Sequence, residues 1–249
     1  MIILRELELI VNSEKKAITF GQPNTEEELE EILKLRYKIY SERGYINPND
    51  YKDGKEYDEY DKNNQCAYFI ARIDNKIIGT IRLIKSTPLP TEKDFTFETP
   101  TEIAQIPRKN LGELGRFIII PLDKEKGNYL PRGIVMLLMI SSLIDYGIAN
   151  SIEGGYSFIK KSLEKKMKNF GFPIHKIKDY KLQIGKANVL YRYYTQPENP
   201  VIPIFFLTKE FKKSIDKIIA KKWLFSHKNG KIILRNNIGI NLLRFLKFL

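Results

Sequence analysis

Apolar and polar positions along the chain follow a helical period in some segments and a strand period in others. Between residues 25 and 44 apolar side chains recur at every third or fourth position, which predicts an amphipathic helix. Thr25 and Glu28 have capping-box spacing, so the helix is expected to begin there. Arg36 lies seven residues after Leu29 and four before Tyr40, on the same stripe. We therefore expect the Arg36 side chain to face the protein interior.

Several apolar runs predict strands. The runs 66–73 and 76–85 are joined by Asp74-Asn75 and predict a hairpin. Residues 111–121 predict another strand, whose internal glycine indicates a bulge or a closely approaching ligand. Further strands are predicted at 152–157, 178–184, 188–194 and 202–207, and further helices at 132–150 and 158–172. This order predicts a mixed central sheet flanked by helices, an α/β or α+β fold.

The composition changes near Thr208. A basic helix at 209–222, a hairpin about Asn229-Gly230 and an amphipathic tail at 240–249 are predicted there. We therefore expect a main domain at 1–207 and a basic amphipathic appendage at 208–249. The tail has the character of an interfacial helix, which indicates a peripheral contact with the inner face of a membrane.

Charged residues fall on inward positions in an ordered series. By strand alternation Arg82 shares a face with Ile78 and Thr80, and the acidic stretch GKEYDEYD (54–61) lies between this strand and the first helix. An unpaired buried charge costs several kcal/mol, so inward arginines need carboxylates. The acidic stretch is either their partner or a solvated turn, and the residues alone leave both interpretations open.

Charge and residue counts restrict the class of protein. The formal net charge of +12 predicts a polyanionic partner. One cysteine, Cys66, excludes an internal disulfide, and with two histidines no metal site is expected. The longest uncharged apolar run, 133–144, is too short to cross a bilayer, which favours a cytoplasmic protein. The acids among the arginines argue against a nucleic-acid binder.

The segment GNYLPRG (127–133) precedes the predicted helix 132–150. A helix N-terminus attracts anions through its free N–H groups and its dipole, and Lys126 and Arg132 add positive charge. The segment lacks the glycine patterns of nucleotide-binding loops. It is therefore either a phosphate seat or an ordinary helix start.

The stretches LRYKIYSERGYINPNDYKDGKEYDEYDKNNQCAYFIA, GTIRLIKSTPLP and ELGRFII together resemble one family. They look like the acyl-homoserine-lactone synthases and their relatives, the long-chain N-acyl amino acid synthases. The resemblance covers roughly residues 25–195 and is closest to the exosortase-associated acyltransferase-like branch. It implies a GNAT fold and an acyltransferase that takes a fatty acyl group from acyl carrier protein.

The family's charged and aromatic positions map onto this chain in order. The charged signature falls on Arg36, Glu56, Asp58, Asp61, Arg82, Glu113 and Arg116, and the aromatic positions on Tyr40, Tyr45 and Phe95 or Phe97. Homoserine-lactone synthases usually have Phe and Trp where this chain has Tyr40 and Tyr45, and Ser at Gly115. The first departure shifts the expected acceptor from S-adenosylmethionine to a free amino acid or a similar small amine. The acids are expected to pair with the three arginines and fix the loop over the acceptor pocket.

The resemblance also implies roles in acyl transfer from a thioester. The phosphate of the phosphopantetheine arm is expected at the helix start, beside Lys126, Arg132, Gly133 and Ile134. The backbone N–H of Phe117 or Ile118 is the expected oxyanion donor, and Glu113 the expected base, directly or through a water. No permanently bound cofactor is expected, because the donor is the acyl-phosphopantetheine of acyl carrier protein, or acyl-CoA.

The basic charge balance fits an acidic acyl carrier protein as partner. The expected docking residues are Lys160, Lys161, Lys165, Lys166 and Lys168. An N-acyl amino acid synthase is the leading hypothesis. The alternatives are an autoinducer synthase that uses S-adenosylmethionine and, from another class, a peripheral membrane-binding module.

Overall fold

One mixed sheet of ten strands forms the centre of the fold. The structure, a computed structural model, describes residues 1–11, 14–120, 132–188 and 190–234. Its strands are β1 (Ile2–Val11), β2 (Glu14–Gln22), β3 (Cys66–Ile73), β4 (Lys76–Ile84), β5 (Phe95–Thr96), β6 (Leu111–Ile119), β7 (Gly154–Lys160), β8 (His175–Lys176), β9 (Lys181–Leu182), β10 (Val201–Leu207), β11 (Phe225–Lys228) and β12 (Lys231–Leu234). Their order in the large sheet is β11-β12-β1-β2-β3-β4-β6-β7-β10-β8, while β5 and β9 pair separately. Neighbours are antiparallel except β1 with β12 and β6 with β7.

Helices pack against this sheet and connect its strands. Within the described ranges they are α1 (Glu26–Glu42), α2 (Glu59–Lys62), α3 (Pro90–Asp94), α4 (Thr101–Ala104), α5 (Arg132–Ala149), α6 (Lys161–Phe170), α7 (Tyr191–Tyr194) and α8 (Thr208–Ile219). Helix α1 begins as predicted, because the Thr25 side chain accepts a hydrogen bond from the Glu28 N–H at 3.3 Å. Arg36 of α1 is fully buried, as its place on the apolar stripe predicts.

Helix α5 is the central helix of the core. Its residues from Gly133 to Ile144 are buried, and it packs against β1–β4, β6 and α8. The helix is longer than the apolar run recognised in the sequence. By length and composition it could cross a membrane, but 72% of it is buried inside the protein, as in the core helix of a globular domain.

The segment after residue 207 is joined to the main sheet as far as it is described. Strand β12 pairs in parallel with β1, at Leu7 with Ile232, and the β11–β12 hairpin turns at Asn229-Gly230 as predicted. Phe211 and Ile215 of α8 are buried in the core. The division at residue 207 stays a prediction, and the tail 240–249 lies outside the described residues.

Several segments differ from the prediction. Residues 191–194 form α7, although their aromatic composition favoured a strand, because short apolar runs do not distinguish the two states. Residues 158–160 complete β7, where Lys160 pairs with Val201, and do not begin the following helix. Residues 2–11 and 14–22, for which no strand was predicted, form β1 and β2.

Candidate active site

Two neighbouring strands separate and form a wedge. The parallel strands β6 and β7 are paired only near their beginnings, and the last pair joins Glu113 to Tyr156. Beyond this pair β6 continues to Ile119 and β7 to Lys160 without pairing to each other. The wedge, residues 114–119 and 157–160, therefore leaves unpaired backbone on both sides of an opening in the sheet.

Small residues close the narrow end of the wedge. A Cβ atom at Gly155 would lie 1.6 Å from the carbonyl oxygen of Gly112, so this position accepts only glycine. Two residues further along β7, the Ser157 hydroxyl donates a hydrogen bond to the Leu114 carbonyl oxygen at 2.7 Å. These contacts hold the strands together where they begin to separate.

Strand β6 carries a β-bulge beside the wedge. Thr80 of β4 faces Ile118 and Arg82 faces Gly115, so β6 has one residue more than β4 between these pairs. Arg116 at the bulge has a φ of +56°, in the left-handed region that is uncommon for residues with a side chain. The bulge interrupts the regular alternation of strand β6.

The register determines which N–H groups of β6 face the wedge. Ile120 donates a hydrogen bond to the Ile78 carbonyl oxygen at 2.8 Å, and hydrogen-bonded positions alternate along an antiparallel pair. The N–H of Ile118 therefore points towards β4. Counting on from this pair, we expect the N–H of Phe117 to point away from β4, on the side of the wedge that Phe117 lines.

A cavity of about 300 Å³ occupies the wedge. This volume is at the lower end of the range for small-molecule sites. Of the residues predicted for the site, those that line the cavity are Tyr40, Tyr45, Arg116, Phe117, Ile118, Arg132 and Gly133. Ile134 is buried but is not part of the lining, and Lys126 lies outside the described residues.

The cavity lining has an apolar part and a polar part. The apolar part comes from the core and includes Met136, Ile140, Met167, Ile204 and Phe211. The polar part is a cluster of Tyr40, Tyr45 and Tyr193 with Arg116 and Lys160. Gly115 also lines the cavity, and a Cβ atom there would meet open space. Such a lining suits a ligand with a long apolar chain and a polar reactive end.

The acidic stretch 54–61 is the partner of the inward arginines. Arg36 donates to Glu56 at 2.5 Å and to both oxygens of Asp61 at 3.1 and 2.9 Å. Arg82 donates to both oxygens of Asp58 at 2.9 and 2.7 Å, and its Nη1 lies 2.6 Å from Asp61 Oδ1. The predicted pairing is therefore present, and the solvated-turn alternative is wrong.

Arg116 closes this network. Its Nε lies 3.1 Å from Glu56 Oε1, and its Nη2 lies 3.0 Å from Asp58 Oδ2. Each arginine thus contacts two carboxylates and each carboxylate contacts two arginines, in a closed ring. The ionic ring consists of Arg36, Glu56, Arg116, Asp58, Arg82 and Asp61. It connects α1, the acidic stretch, β4 and β6.

Arg36, Glu56 and Arg82 of the ionic ring are buried, and further hydrogen bonds support the geometry of the ring. Arg36 and Glu56 are 0% exposed and Arg82 is 2% exposed. The Tyr68 hydroxyl donates to Asp61 at 2.6 Å, and Asp58 and Asp61 form the capping box of α2. Burial disfavours the charged form of Asp61, but the guanidinium groups of Arg36 and Arg82 hold the pKa of Asp61 well below its usual value.

Glu113 lies outside both the ionic ring and the cavity lining. It is 1% exposed and accepts a hydrogen bond from the Thr91 N–H at 2.7 Å. In the described part of the chain it forms no ion pair with an arginine. Burial raises the pKa of Glu113 to about 8. A direct contact between Glu113 and a ligand in the cavity is therefore not supported.

Two aromatic candidates also lie away from the cavity. Phe95 packs against Tyr194, with ring centroids 5.6 Å apart, and Phe97 against Tyr156, at 5.5 Å. Phe95 is 4% exposed and belongs to a separate aromatic cluster. Phe97 is half-buried, and neither residue lines the cavity.

Lys160 and Tyr193 belong to the site although the sequence placed them elsewhere. Lys160 was predicted on a docking helix, but it is the last residue of β7 and is 6% exposed, so that prediction is wrong. Its Nζ donates to the Tyr193 carbonyl oxygen and lies 4.4 Å from the centre of the Tyr193 ring. The other docking candidates, Lys161, Lys165, Lys166 and Lys168, are exposed on α6. Assigning 188–194 to a strand concealed the contribution of Tyr193.

Comparison with known proteins identifies the family. Residues 31–152, which contain the whole ionic ring, match the family model of the N-acyl amino acid synthase FeeM. An acyl-homoserine-lactone synthase of Vibrio anguillarum is 30% identical to the chain over 156 residues, 61% of this chain and 78% of that protein. The chain belongs to the family of acyl-homoserine-lactone synthases and N-acyl amino acid synthases. As a member of this family it is an acyltransferase.

Solved structures of acyl-homoserine-lactone and N-acyl amino acid synthases have the same fold. The acyl-homoserine-lactone synthase LasI superposes with a TM-score of 0.55 at 18% identity, covering 80% of this chain and 93% of LasI. FeeM, an N-acyl amino acid synthase from uncultured soil microbes, gives 0.52 at 12% identity, covering 80% and 95%. The predicted mixed sheet flanked by helices is confirmed, and it is the fold of these synthases. The family contains both kinds of synthase.

Proposed function

We propose that this acyltransferase moves a fatty acyl group from the phosphopantetheine thioester of acyl carrier protein to the amine of an amino acid or a similar small amine. The observation that carries the proposal is the two-part cavity in the wedge. Its apolar part suits an acyl chain, and its polar part, with three tyrosines and Arg116, suits a small polar acceptor. Phe117 lines the same opening, and its backbone N–H is proposed to point into it.

The donor arm fits the start of α5. Arg132 and Gly133 line the cavity at this helix start, where free N–H groups and the helix dipole favour a phosphate. The acyl chain would then extend past Met136 and Ile140 towards the core. Lys126 stays a proposed contact of the phosphate, as does the N–H of the buried Ile134.

The reaction forms one bond and breaks another. The neutral amine attacks the thioester carbon, the carbonyl oxygen becomes an oxyanion, and the C–S bond breaks as the C–N bond is completed. The N–H of Phe117 is the proposed donor to the oxyanion, because that of Ile118 points towards β4. The amine loses a proton and the leaving thiolate gains one.

Glu113 is proposed to accept the amine proton through water, since it does not line the cavity. Its pKa is raised to about 8, so only the deprotonated fraction of Glu113 can act as this base, and that fraction grows as the pH rises towards 8. The ionic ring has a different role in this proposal. It holds Arg116, and with it the bulge of β6, in place beside the acceptor.

The preference for an amino acid over S-adenosylmethionine rests on the polar part of the cavity. Tyr40 and Tyr45 stand where homoserine-lactone synthases usually have Phe and Trp, and their ring centroids are 5.9 Å apart. The two hydroxyl groups make this part of the cavity more polar. Because the Vibrio relative is an acyl-homoserine-lactone synthase, S-adenosylmethionine remains the alternative acceptor for this enzyme.

Product identification tests the proposal. Purified enzyme is given fatty-acyl carrier protein with either a mixture of amino acids or S-adenosylmethionine, and products are identified by mass spectrometry. N-acyl amino acids are expected from the first reaction. An N-acyl-homoserine lactone from the second, with no product from the first, would refute the acceptor. Replacement of acyl carrier protein by acyl-CoA without loss of rate would refute the donor.

A further inference from the structure

Lys160 is a buried cation in the acceptor part of the cavity, and in the described part of the chain no carboxylate pairs with it. The residue is 6% exposed and lines the cavity beside Tyr45 and Tyr193. Its Nζ lies 5.4 and 4.4 Å from the centres of these two rings and donates to the Tyr193 carbonyl oxygen. The arginines of the ionic ring differ, because each contacts two carboxylates.

An ammonium group has three protons to donate, and the Tyr193 carbonyl oxygen takes one. The two aromatic rings attract the charge but leave hydrogen-bond capacity for a ligand. Burying such a cation is unfavourable unless an anion accompanies it. Burial accordingly lowers the pKa of Lys160 to about 8, and a bound carboxylate would favour its charged form.

We propose that the Lys160 ammonium binds the α-carboxylate of the acceptor, so that the enzyme prefers α-amino acids to amines that lack a carboxylate. This inference rests on the proposed function, since it assigns a contact within the same acceptor site. The cation has a second effect on the reaction. A positive charge next to the bound amino acid favours the neutral form of its amine, which is the nucleophile.

Other cations near the cavity do not fit this role as well. Arg116 already pairs with Glu56 and Asp58, and Arg43 and Lys166 of the lining are exposed to solvent. Arg132 lies at the start of α5, where the donor phosphate is proposed to bind. Lys160 is therefore the buried cation of the lining with donors left for the acceptor.

The test compares two acceptors in matched variants. Lys160→Met and Lys160→Arg are assayed with the amino acid found in the product analysis and with its decarboxylated amine, at saturating acyl carrier protein thioester. We expect Lys160→Met to lower the ratio of kcat/KM values, amino acid over amine, on the order of 10- to 100-fold, mainly through the amino acid's KM. Lys160→Arg keeps a cation and should retain part of the preference. Lys178→Met removes one exposed positive charge away from the cavity and should leave the ratio unchanged.

Equal losses for the two acceptors, or an unchanged ratio in Lys160→Met, would overturn the inference. A rise confined to the KM of the acyl carrier protein thioester would also overturn it and assign Lys160 to the donor phosphate. If wild-type enzyme acylates no amino acid, the proposed function fails instead, which is a different result.

A measurement on the wild-type enzyme does not depend on whether Lys160→Met folds. The acid that has hydrogen in place of the acceptor's amine should inhibit competitively against the amino acid. The matched compound without the carboxylate should inhibit at least about tenfold more weakly. Equal inhibition by the two compounds would refute the carboxylate contact.

Discussion

Replacing Asp61 by asparagine changes the charge of the ionic ring with little change in volume. Asp61 lies within 3.1 Å of donors on Arg36 and Arg82 and accepts from the Tyr68 hydroxyl at 2.6 Å. Its Oδ2 also accepts the Asp58 N–H at 2.9 Å. Asparagine would keep one acceptor oxygen but would place an NH₂ group, itself a donor, against donors such as those of Arg36 and Arg82. The Asp61→Asn variant therefore removes the negative charge and leaves the guanidinium groups of Arg36 and Arg82 buried.

The expected loss follows from the charge balance of the ring. Three guanidinium groups face three carboxylates, so the ring is neutral, and Asp61→Asn leaves one uncompensated positive charge where Arg36 is 0% and Arg82 2% exposed. Breaking a buried pair on one side costs about 3–5 kcal/mol. Domains are stable by about 5–15 kcal/mol in total. The variant should therefore lose a large share of the free energy of unfolding.

Urea denaturation at pH 7 measures this loss, with Asp179→Asn as the control. Asp179 is exposed, and its left-handed backbone suits asparagine equally well. We expect a lower midpoint with an unchanged m-value for Asp61→Asn, and less than about 0.5 kcal/mol for the control. A loss below about 1 kcal/mol at position 61 would refute the reasoning, because removing one carboxylate from a closed ring of buried ion pairs must leave an uncompensated charge.

The pH dependence gives an independent check of the same reasoning. The arginines hold the pKa of Asp61 below its usual value in the folded state, so its stabilising contribution is present above the unfolded value of about 3.9. The contribution is lost as the pH falls below that value. Wild-type stability should therefore decrease more steeply below about pH 5 than that of Asp61→Asn. Parallel pH profiles for the two proteins would contradict this explanation.

Three further predictions concern other parts of the molecule. The pKa of Glu113 is raised from 4.5 to about 8, so its stabilising contribution is complete below pH 4.5 and is lost as the pH rises through 8. Glu113→Gln should remove up to about 5 kcal/mol of this dependence in urea titrations, whereas an unchanged profile would exclude a buried neutral acid. Gly155→Ala should lower the free energy of unfolding by about 3 kcal/mol or more, measured by thermal or urea denaturation. Gly185→Ala, whose Cβ meets open space, should lower it little. Similar losses in the two variants would refute the close contact between the strands. Exposed lysines of α6 such as Lys161 and Lys165 predict that the KM for acyl carrier protein rises with salt while the acceptor KM does not, and a salt-insensitive donor KM would exclude this docking surface.

The ionic ring could be predicted from sequence because a buried charged side chain needs a partner of opposite charge. Arg36 lies on an apolar helical stripe and Arg82 on an apolar strand face, so each needed a carboxylate. The acidic stretch lies between them in the chain, and the family resemblance supplied Arg116. Individual partners could not be predicted, since each carboxylate turned out to contact two arginines.

The wedge and its lining were harder to predict because they depend on register. A shift of one residue in β6 decides whether Phe117 or Ile118 directs its N–H into the wedge. The position of Lys160 depends on where β7 ends and α6 begins, and helix and strand periods overlap there. Glu113 was expected as the base, yet it does not line the cavity, and it accepts its hydrogen bond from the Thr91 N–H. Local patterns contain little information on such tertiary contacts.

The ionic ring explains how the bulge of β6 keeps its conformation. A residue with a side chain in the left-handed region costs about 1–2 kcal/mol, and Arg116 has a φ of +56°. Its guanidinium group is held by Glu56 and Asp58, whose hydrogen bonds offset this cost. An apolar contact in this place would be equally stabilising, but it would not fix the orientation of the side chain and backbone at position 116. Because Phe117 follows Arg116, the same ion pairs determine where the proposed oxyanion donor points. Variants of the ring should therefore lower kcat beyond what their fraction of folded protein explains, whereas an equally destabilising change in the distant β11–β12 hairpin should not.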